Sequence, residues 1–227
     1  MSDFAAKLVS FDVFGTLISV RESSYGAFRK ILSEAGAQGV DVQEFWEDWE
    51  HRNIGHYWEP YRSYKDICAL SLSESFTKYE LQADPRLIQH YFDAFSSFSL
   101  YEDVVETLEK LALRHRLALV SNIDDDLLQM TPLPNMFDLV CTAQTAGGYK
   151  PDGTLFRYLI DHAEVPIREI LHCGQSQYTD LVGGKPLGLR IAWINRRNVT
   201  LDPRVPAPDL IFSSVSDVYE LLRTTAT

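Results

Sequence analysis

Four short segments carry residues whose types could act together. They are Asp12 in FDVFGTL, Ser121-Asn122 in LVSN, Lys150 in YKPD, and Gln175-Ser176-Gln177 running on to Asp180 in CGQSQYTD. A carboxylate such as Asp12 is ionised at neutral pH, since its unperturbed pKa is about 3.9. It can serve as a nucleophile, forming a covalent ester or acyl phosphate that splits one difficult displacement into two steps. Lys150 would hold that carboxylate in its charged form and aim it. Thr16 and Ser121 offer hydroxyl donors for an oxyanion or a transferring group. Asn122 either donates as well or ties down the loop after its strand. Each residue also has a plainer reading: Thr16 as a turn cap, Ser121-Asn122 as a loop opening, Lys150 as a solvated lysine. Their order along the chain is what argues for one shared crevice.

The elements that must position them are short apolar runs alternating with helical patterns, which predicts an α/β fold with a parallel sheet. LVSFDVF, LALVSN, FDLVCTAQ, EILHCG, RIAWIN and DLIF read as five or six buried strands. Between them, DVVETLEKLALRHR places Val104, Leu108, Leu111 and Ala112 on one helical face, and KPDGTLFRYLIDHA, a segment from about Asp180, and SDVYELL read as further helices. All four segments fall at carboxyl ends of predicted strands, where open α/β sheets form their crevices. From Arg21 to Phe98 no strand-like run occurs, and four helices are expected to form an inserted bundle. The first is capped by the serines of SSYGAF and ends at Gly36. The last opens with Asp84 as N-cap and Pro85 at its first position. The predicted division is a core of residues 1–20 and 99–227 with a helical cap of residues 21–98.

Composition narrows the partners. With 227 residues, 45% of them hydrophobic, the chain is long enough for a full-sized core. A net charge of −11 argues against a nucleic-acid backbone as partner. Cys68, Cys141 and Cys173 are widely spaced without a C-x-x-C pair, so buried reduced thiols are expected rather than a disulfide framework or a zinc site. No segment is long and apolar enough for a membrane span, and the N-terminus lacks a basic region followed by an apolar stretch, so a cytoplasmic chain is expected.

The motifs together resemble the haloacid dehalogenase (HAD) superfamily, in particular its L-2-haloacid dehalogenase (type II) branch. FDVFGTL stands as motif one, LVSN as motif two, YKPD as motif three and CGQSQYTDLVGGKPLG as motif four, with the helical insertion matching the family's cap. The resemblance implies a Rossmann-like core and an Asp12 nucleophile. Phosphatases of the superfamily usually carry a second aspartate where this chain has Phe14. That aspartate protonates the leaving group and later activates water. Phenylalanine can do neither, whereas a halide leaves as a stable anion and needs no proton. The phosphatase pattern also has an acid after the glycine of motif four, where it helps hold magnesium; here that position is Gln175. No metal or other cofactor is therefore expected. A magnesium site, if one existed, would draw on Asp12, Asp180 and Gln175.

The resemblance further places Ser176 and Gln177 near the nucleophile, leaves Asp180 to orient Lys150 or a hydrolytic water, and puts Phe156 where many dehalogenases have tyrosine. Arg21 is the candidate to grip a substrate carboxylate. The arginine that many relatives supply from the second cap helix has no match, since Glu47 stands there and Arg52 lies further on. Trp46, Trp49, Tyr57, Trp58 and Tyr61 either line an apolar pocket over Asp12, with Trp58 as the candidate substrate contact, or form the bundle's own core. His172 is expected to be a satisfied core histidine. The expected activity is hydrolysis of a carbon–halogen bond in a small organic acid through an aspartyl ester. The alternatives are a magnesium-dependent phosphohydrolase acting on activated phosphoryl groups and a non-catalytic binding protein of the same fold. A second copy of the chain stays open as a partner.

Overall fold

The computed structural model describes residues 6–224; residues 1–5, where the absence of a leader was read, lie outside them. Strand β1 (Leu8–Phe11) is buried along its whole length, as an apolar run covered on both faces should be. A two-residue strand, β2 (Ile18–Ser19), leads into helices α1 (Arg21–Glu34), α2 (Val42–His56), α3 (Tyr64–Lys78) and α4 (Gln89–Asp93). The chain returns through β3 (Ser99–Leu100), which pairs antiparallel with β2 and so ties the two ends of the helical insertion together. Then follow α5 (Val104–Ala112), β4 (Arg116–Ser121), α6 (Asp125–Gln129), β5 (Leu139–Thr142), α7 (Ala143–Ala146), α8 (Thr154–His162), β6 (Ile170–Gly174), α9 (Val182–Gly184), β7 (Arg190–Ile194), β8 (Leu210–Phe212) and α10 (Ser216–Thr224).

The main sheet is parallel, in the order β5-β4-β1-β6-β7-β8. The chain builds to one side of β1 through β4 and β5, then reverses to the other side through β6. That reversal makes the β1–β6 boundary the switch point where α/β sheets open a crevice. Alternate residues separate the two faces. Val9, Phe11, Leu117 and Leu119 join the cluster containing α5, α10 and the insertion, while Leu8, Ala118 and Val120 join the one built around α8. The three cysteines are free and buried.

Local differences from the sequence reading have physical causes. Helix α1 starts at Arg21 without a side-chain cap, and the serines sit inside its first turn, where Ser24 N–H already donates to Val20 O at 3.0 Å. On α5, Thr107 rather than Ala112 completes the buried face with Val104, Leu108 and Leu111. The fourth helix of the insertion is α-helical only in its middle. Asp84 caps Arg86 N–H at 2.8 Å as expected, but the turns Pro85–Ile88 and Ala94–Ser97 close as 3₁₀ turns, the usual tightening where terminal groups lack partners. Trp46, Trp49 and Tyr57 belong to the core of the insertion. Among the described residues, no helix is long and apolar enough to cross a membrane.

Candidate active site

Asp12 follows the last residue of β1, and its backbone N–H donates to Cys173 O of β6 at 2.9 Å, which fixes it at the switch point. Its carboxylate is 6% exposed, and each oxygen has one partner. Oδ1 meets the Lys150 ammonium, and Oδ2 accepts from Thr16 Oγ1 at 2.6 Å. The Thr16 hydroxyl also accepts from Gln175 N–H at 3.0 Å. Its single proton is thus committed to Asp12, so Thr16 positions the nucleophile candidate and cannot be the free donor expected from sequence. Between them, Gly15 has φ +85°, and a Cβ there would fall 2.9 Å from the Gln175 side chain. The turn therefore requires glycine both for conformation and for space.

Lys150, 2% exposed, is shared between two carboxylates, since its Nζ also donates to Asp180 Oδ1 at 2.8 Å. Asp180 is held by three donors: Lys150, His172 Nε2 at 3.2 Å, and Ser176 N–H at 2.9 Å. A carboxylate can only accept, so His172 Nε2 carries the proton and Nδ1 accepts from Ser10 Oγ at 3.0 Å. His172 is a buried, satisfied histidine as expected, but it also orients Asp180. Burial alone would push Asp180 up; the Lys150 ammonium and His172 outweigh it and hold the carboxyl well below the usual range. Burial pushes Asp12 up, the Asp180 charge adds to that, and Lys150 and Thr16 oppose the rise. Burial disfavours the charge on Lys150, yet its two carboxylate partners keep its pKa raised. Asp180 is accordingly an anchor for Lys150 and a poor base toward water.

The remaining predicted residues divide. Ser121 ends β4 with its hydroxyl buried and without a partner among the described residues, so its proton is free to donate. Asn122 ties the loops, its Oδ1 accepting from Lys150 N–H at 2.9 Å. Phe14 is half-buried and packs edge-on against Phe95 and Phe98 at 5.6 and 6.1 Å, where it can supply a wall but no proton. Ser176 Oγ caps the wide turn Gln177–Leu181 by accepting from Thr179 N–H at 3.2 Å. The Gln177 side chain binds the proline-rich loop at both ends of its amide: its Nε2 donates to Thr200 O at 3.0 Å and its Oε1 accepts from Asp202 N–H at 2.6 Å, so neither end is free for a substrate. Trp58, one residue beyond the inward-facing Tyr57, is 57% exposed, unlike the buried Trp46, Trp49 and Tyr57. Arg52 pairs with Asp48 at 2.8 Å and so cannot replace the missing cap arginine.

Several residues here had no sequence signal strong enough to single them out. Tyr149 stacks on Tyr57 at 4.5 Å and joins the crevice wall to α2. Asp124 accepts from Tyr64 N–H and Lys65 N–H at 2.9 and 3.0 Å, so the core caps the start of α3. Glu50, half-buried on α2, faces Arg197 of the core and Arg21 of α1. Burial pushes its carboxyl up to about 7 against the pull of both arginines, with Glu47 adding to the rise. Arg21 lies over the Trp46 ring at 5.9 Å, and Arg197 donates to Gln175 Oε1 at 3.2 Å.

Asp12 and Asp180 share the Lys150 ammonium, and Gln175 turns its amide oxygen to Arg197, so a magnesium ion would find two carboxylates and a committed amide here. Among the described residues, no group of three His, Cys, Asp or Glu side chains is arranged to hold a metal.

Comparison with known proteins places this geometry. Haloacetate dehalogenase H-2 of Moraxella sp. (strain B) is 22% identical over 224 residues, covering 94% of this chain and 96% of its own. Haloacid dehalogenase-like hydrolase domain-containing protein 3 of Bos taurus is 26% identical over 219 residues, 88% of this chain and 85% of its own. Pyrimidine 5'-nucleotidase YjjG of Escherichia coli (strain K12) is 31% identical over 96 residues, 42% of each chain. The fold is that of L-2-haloacid dehalogenase from Xanthobacter autotrophicus, with a TM-score of 0.81 over 97% of this chain and 100% of that one, at 20% identity. The sequence pattern described as haloacid dehalogenase-like hydrolase matches residues 6–188, well over half of the chain, which therefore belongs to the haloacid dehalogenase-like hydrolase family.

Proposed function

We propose that the protein hydrolyses the carbon–halogen bond of a small 2-haloacid, with Asp12 as nucleophile. One observation carries this reading. Asp12 is oriented by Lys150 and Thr16 while the neighbouring wall position is Phe14, which has no proton to give a leaving group. In the first step an Asp12 oxygen attacks the substrate carbon and the halide departs with the bonding pair. Ser121 supplies a free hydroxyl donor to the substrate, and Arg21 attracts its carboxylate. In the second step water attacks the Asp12 carboxyl carbon, the bond from that carbon to the ester oxygen breaks, one water proton passes to that oxygen and the other to solvent, and the 2-hydroxyacid leaves with an oxygen from Asp12. Lys150 stabilises the oxyanion that forms on Asp12. The helical insertion acts as a cap over the crevice.

The test is halide release from 2-chloropropionate and related acids, with and without magnesium, by wild type and Asp12→Ala. A single turnover in labelled water should leave solvent oxygen in Asp12. Halide release that survives Asp12→Ala, or none across the panel, ends this reading. The partial likeness to a pyrimidine 5'-nucleotidase supports a second one, hydrolysis of activated phosphoryl groups. Magnesium-stimulated phosphate release from acetyl phosphate in the absence of halide release would put it first.

A further inference from the structure

Arg21 and Tyr25 are four residues apart on α1, and Trp46 and Glu50 four apart on α2, so each pair shares a helix face. The two faces meet: the Tyr25 and Trp46 rings pack edge-on at 5.4 Å, and the Arg21 guanidinium lies over the Trp46 ring at 5.9 Å. Arg197, in the loop after β7, is near enough for its charge to act on Glu50 of α2. It also donates to Gln175 Oε1 at 3.2 Å, and the Gln175 side chain lies against Gly15, three residues beyond Asp12. The cluster therefore borders the crevice.

Its hydrogen-bonding groups do not balance. The Trp46 indole N–H and the Tyr25 hydroxyl are buried and have no partner among the described residues. The Arg21 guanidinium lies over the Trp46 ring, and the charges of Arg21 and Arg197 both act on Glu50. A buried donor is disfavoured unless something supplies an acceptor, and an excess of donors over acceptors calls for an acceptor-rich ligand. We propose that Arg21, Tyr25, Trp46, Glu50 and Arg197 form a carboxylate-binding subsite between the insertion and the sheet. In it Arg197 and Arg21 grip the substrate's carboxylate, Trp46 and Tyr25 donate to it, and Glu50 competes with it. This deepens the haloacid reading and rests on it; it replaces the missing cap arginine with one from the core.

Glu50 is faced by Arg21 from α1, Glu47 and Tyr57 from α2, Tyr91 from α4, and Arg197. When ionised it binds the arginines itself and repels an incoming anion; when neutral it does neither. Affinity for a carboxylate should therefore fall as pH rises through about 7, and binding near that pH should take up a proton.

The experiment is calorimetric titration of propionate, which carries no leaving group, into wild type and variants at about pH 6 and about pH 8. Wild type should bind roughly tenfold more weakly at the higher pH, the change expected for one group titrating midway. Glu50→Gln should abolish that dependence. Arg197→Met, at an exposed position, should weaken binding roughly tenfold or more at the lower pH. Trp46→Phe should weaken it severalfold at a temperature and denaturant concentration where the variant is folded, although the lost core volume should lower its urea midpoint. No binding by wild type at the lower pH, unchanged binding by Arg197→Met, or an unaltered pH profile in Glu50→Gln overturns the subsite. Propionate binding as expected without halide release from any 2-haloacid leaves the subsite standing and removes the reaction. Halide release with an unchanged KM in Arg197→Met does the reverse.

Discussion

Gly183→Ala sets two physical effects against each other at one atom. Gly183 lies in the short helix α9, and its φ is not positive, so conformation alone does not demand glycine there. Helix propensity would then favour alanine by about 1 kcal/mol. A Cβ at Gly183, however, would fall 2.7 Å from the Lys150 carbonyl carbon and closer still to its oxygen. Carbon atoms in contact prefer about 3.5–4.0 Å, so the backbone of Lys150 must retreat by about 1 Å. It has little room to do so. Lys150 N–H is fixed to Asn122 Oδ1 at 2.9 Å, and Lys150 O accepts from Gly153 N–H at 2.9 Å.

The expected outcome is destabilisation by about 1–3 kcal/mol, the usual range for forcing a methyl into a packed site. A misplacement of about 1 Å in the group that aims Asp12 should lower kcat roughly 100-fold. Urea unfolding reads the first effect and initial rates of halide release the second. Gly184→Ala is the control. Its Cβ would meet Ile191 Cδ1 at 2.8 Å and Leu189 Cδ1 at 3.4 Å, both ends of side chains that can turn aside. It should lose less than about 1 kcal/mol and keep most of the rate. A Gly183→Ala protein as stable as wild type and fully active would refute the claim that this glycine sets the position of Lys150.

Two further outcomes follow from the same crevice. In the proposed reaction Asp12 attacks as the ionised carboxylate, and its burial raises its pKa, so kcat/KM should fall with acidification at a pH above the ordinary carboxylate value of about 4. A rate that stays flat down to that pH would contradict it. Asp124→Ala removes the acceptor for two N–H groups that start α3, and should cost about 2 kcal/mol in urea unfolding. A loss under about 0.5 kcal/mol would show that water replaces the carboxylate there.

Much of this was legible in the sequence, for reasons that also set the limit. The strands around Asp12 are continuous apolar runs because both faces of β1 and β4 are covered, and such runs stand out without any partner being known. Asp12, Lys150 and Asp180 each come after the carboxyl end of a strand, which the sequence shows, while the order β5-β4-β1-β6 that brings them together is not the chain order. Gln177 did not yield, because its partners Thr200 and Asp202 lie more than 20 residues on, in a loop without periodicity. The aromatic run at Tyr57-Trp58 was ambiguous for a different reason. At the end of α2 one residue decides which ring faces Tyr149 and which faces solvent, and Tyr57 takes the inward place. The charge of Arg197 acts on Glu50 across the boundary between an inserted helix and the core, and no local pattern links the two residues.

The charge in the crevice ties these residues into one argument. Asp12 and Asp180 together outweigh the single ammonium of Lys150, leaving one net negative charge where an anionic substrate must approach. Asp180 is the less available of the two: three donors hold its oxygens, including His172, which Ser10 fixes in one tautomer. Asp12 has one donor on each oxygen, so a lone pair remains on each for bond formation. Lys150 thus neutralises most of one carboxylate and aims the other, and the residual negative charge has to be met from outside this trio. Arg21 and Arg197 stand at that border. Ionised Glu50 cancels one of the two, and neutral Glu50 leaves both to face the substrate. In the proposed subsite and reaction, the side chain that tunes anion binding is therefore set apart from the one that attacks, and each can be changed without removing the other.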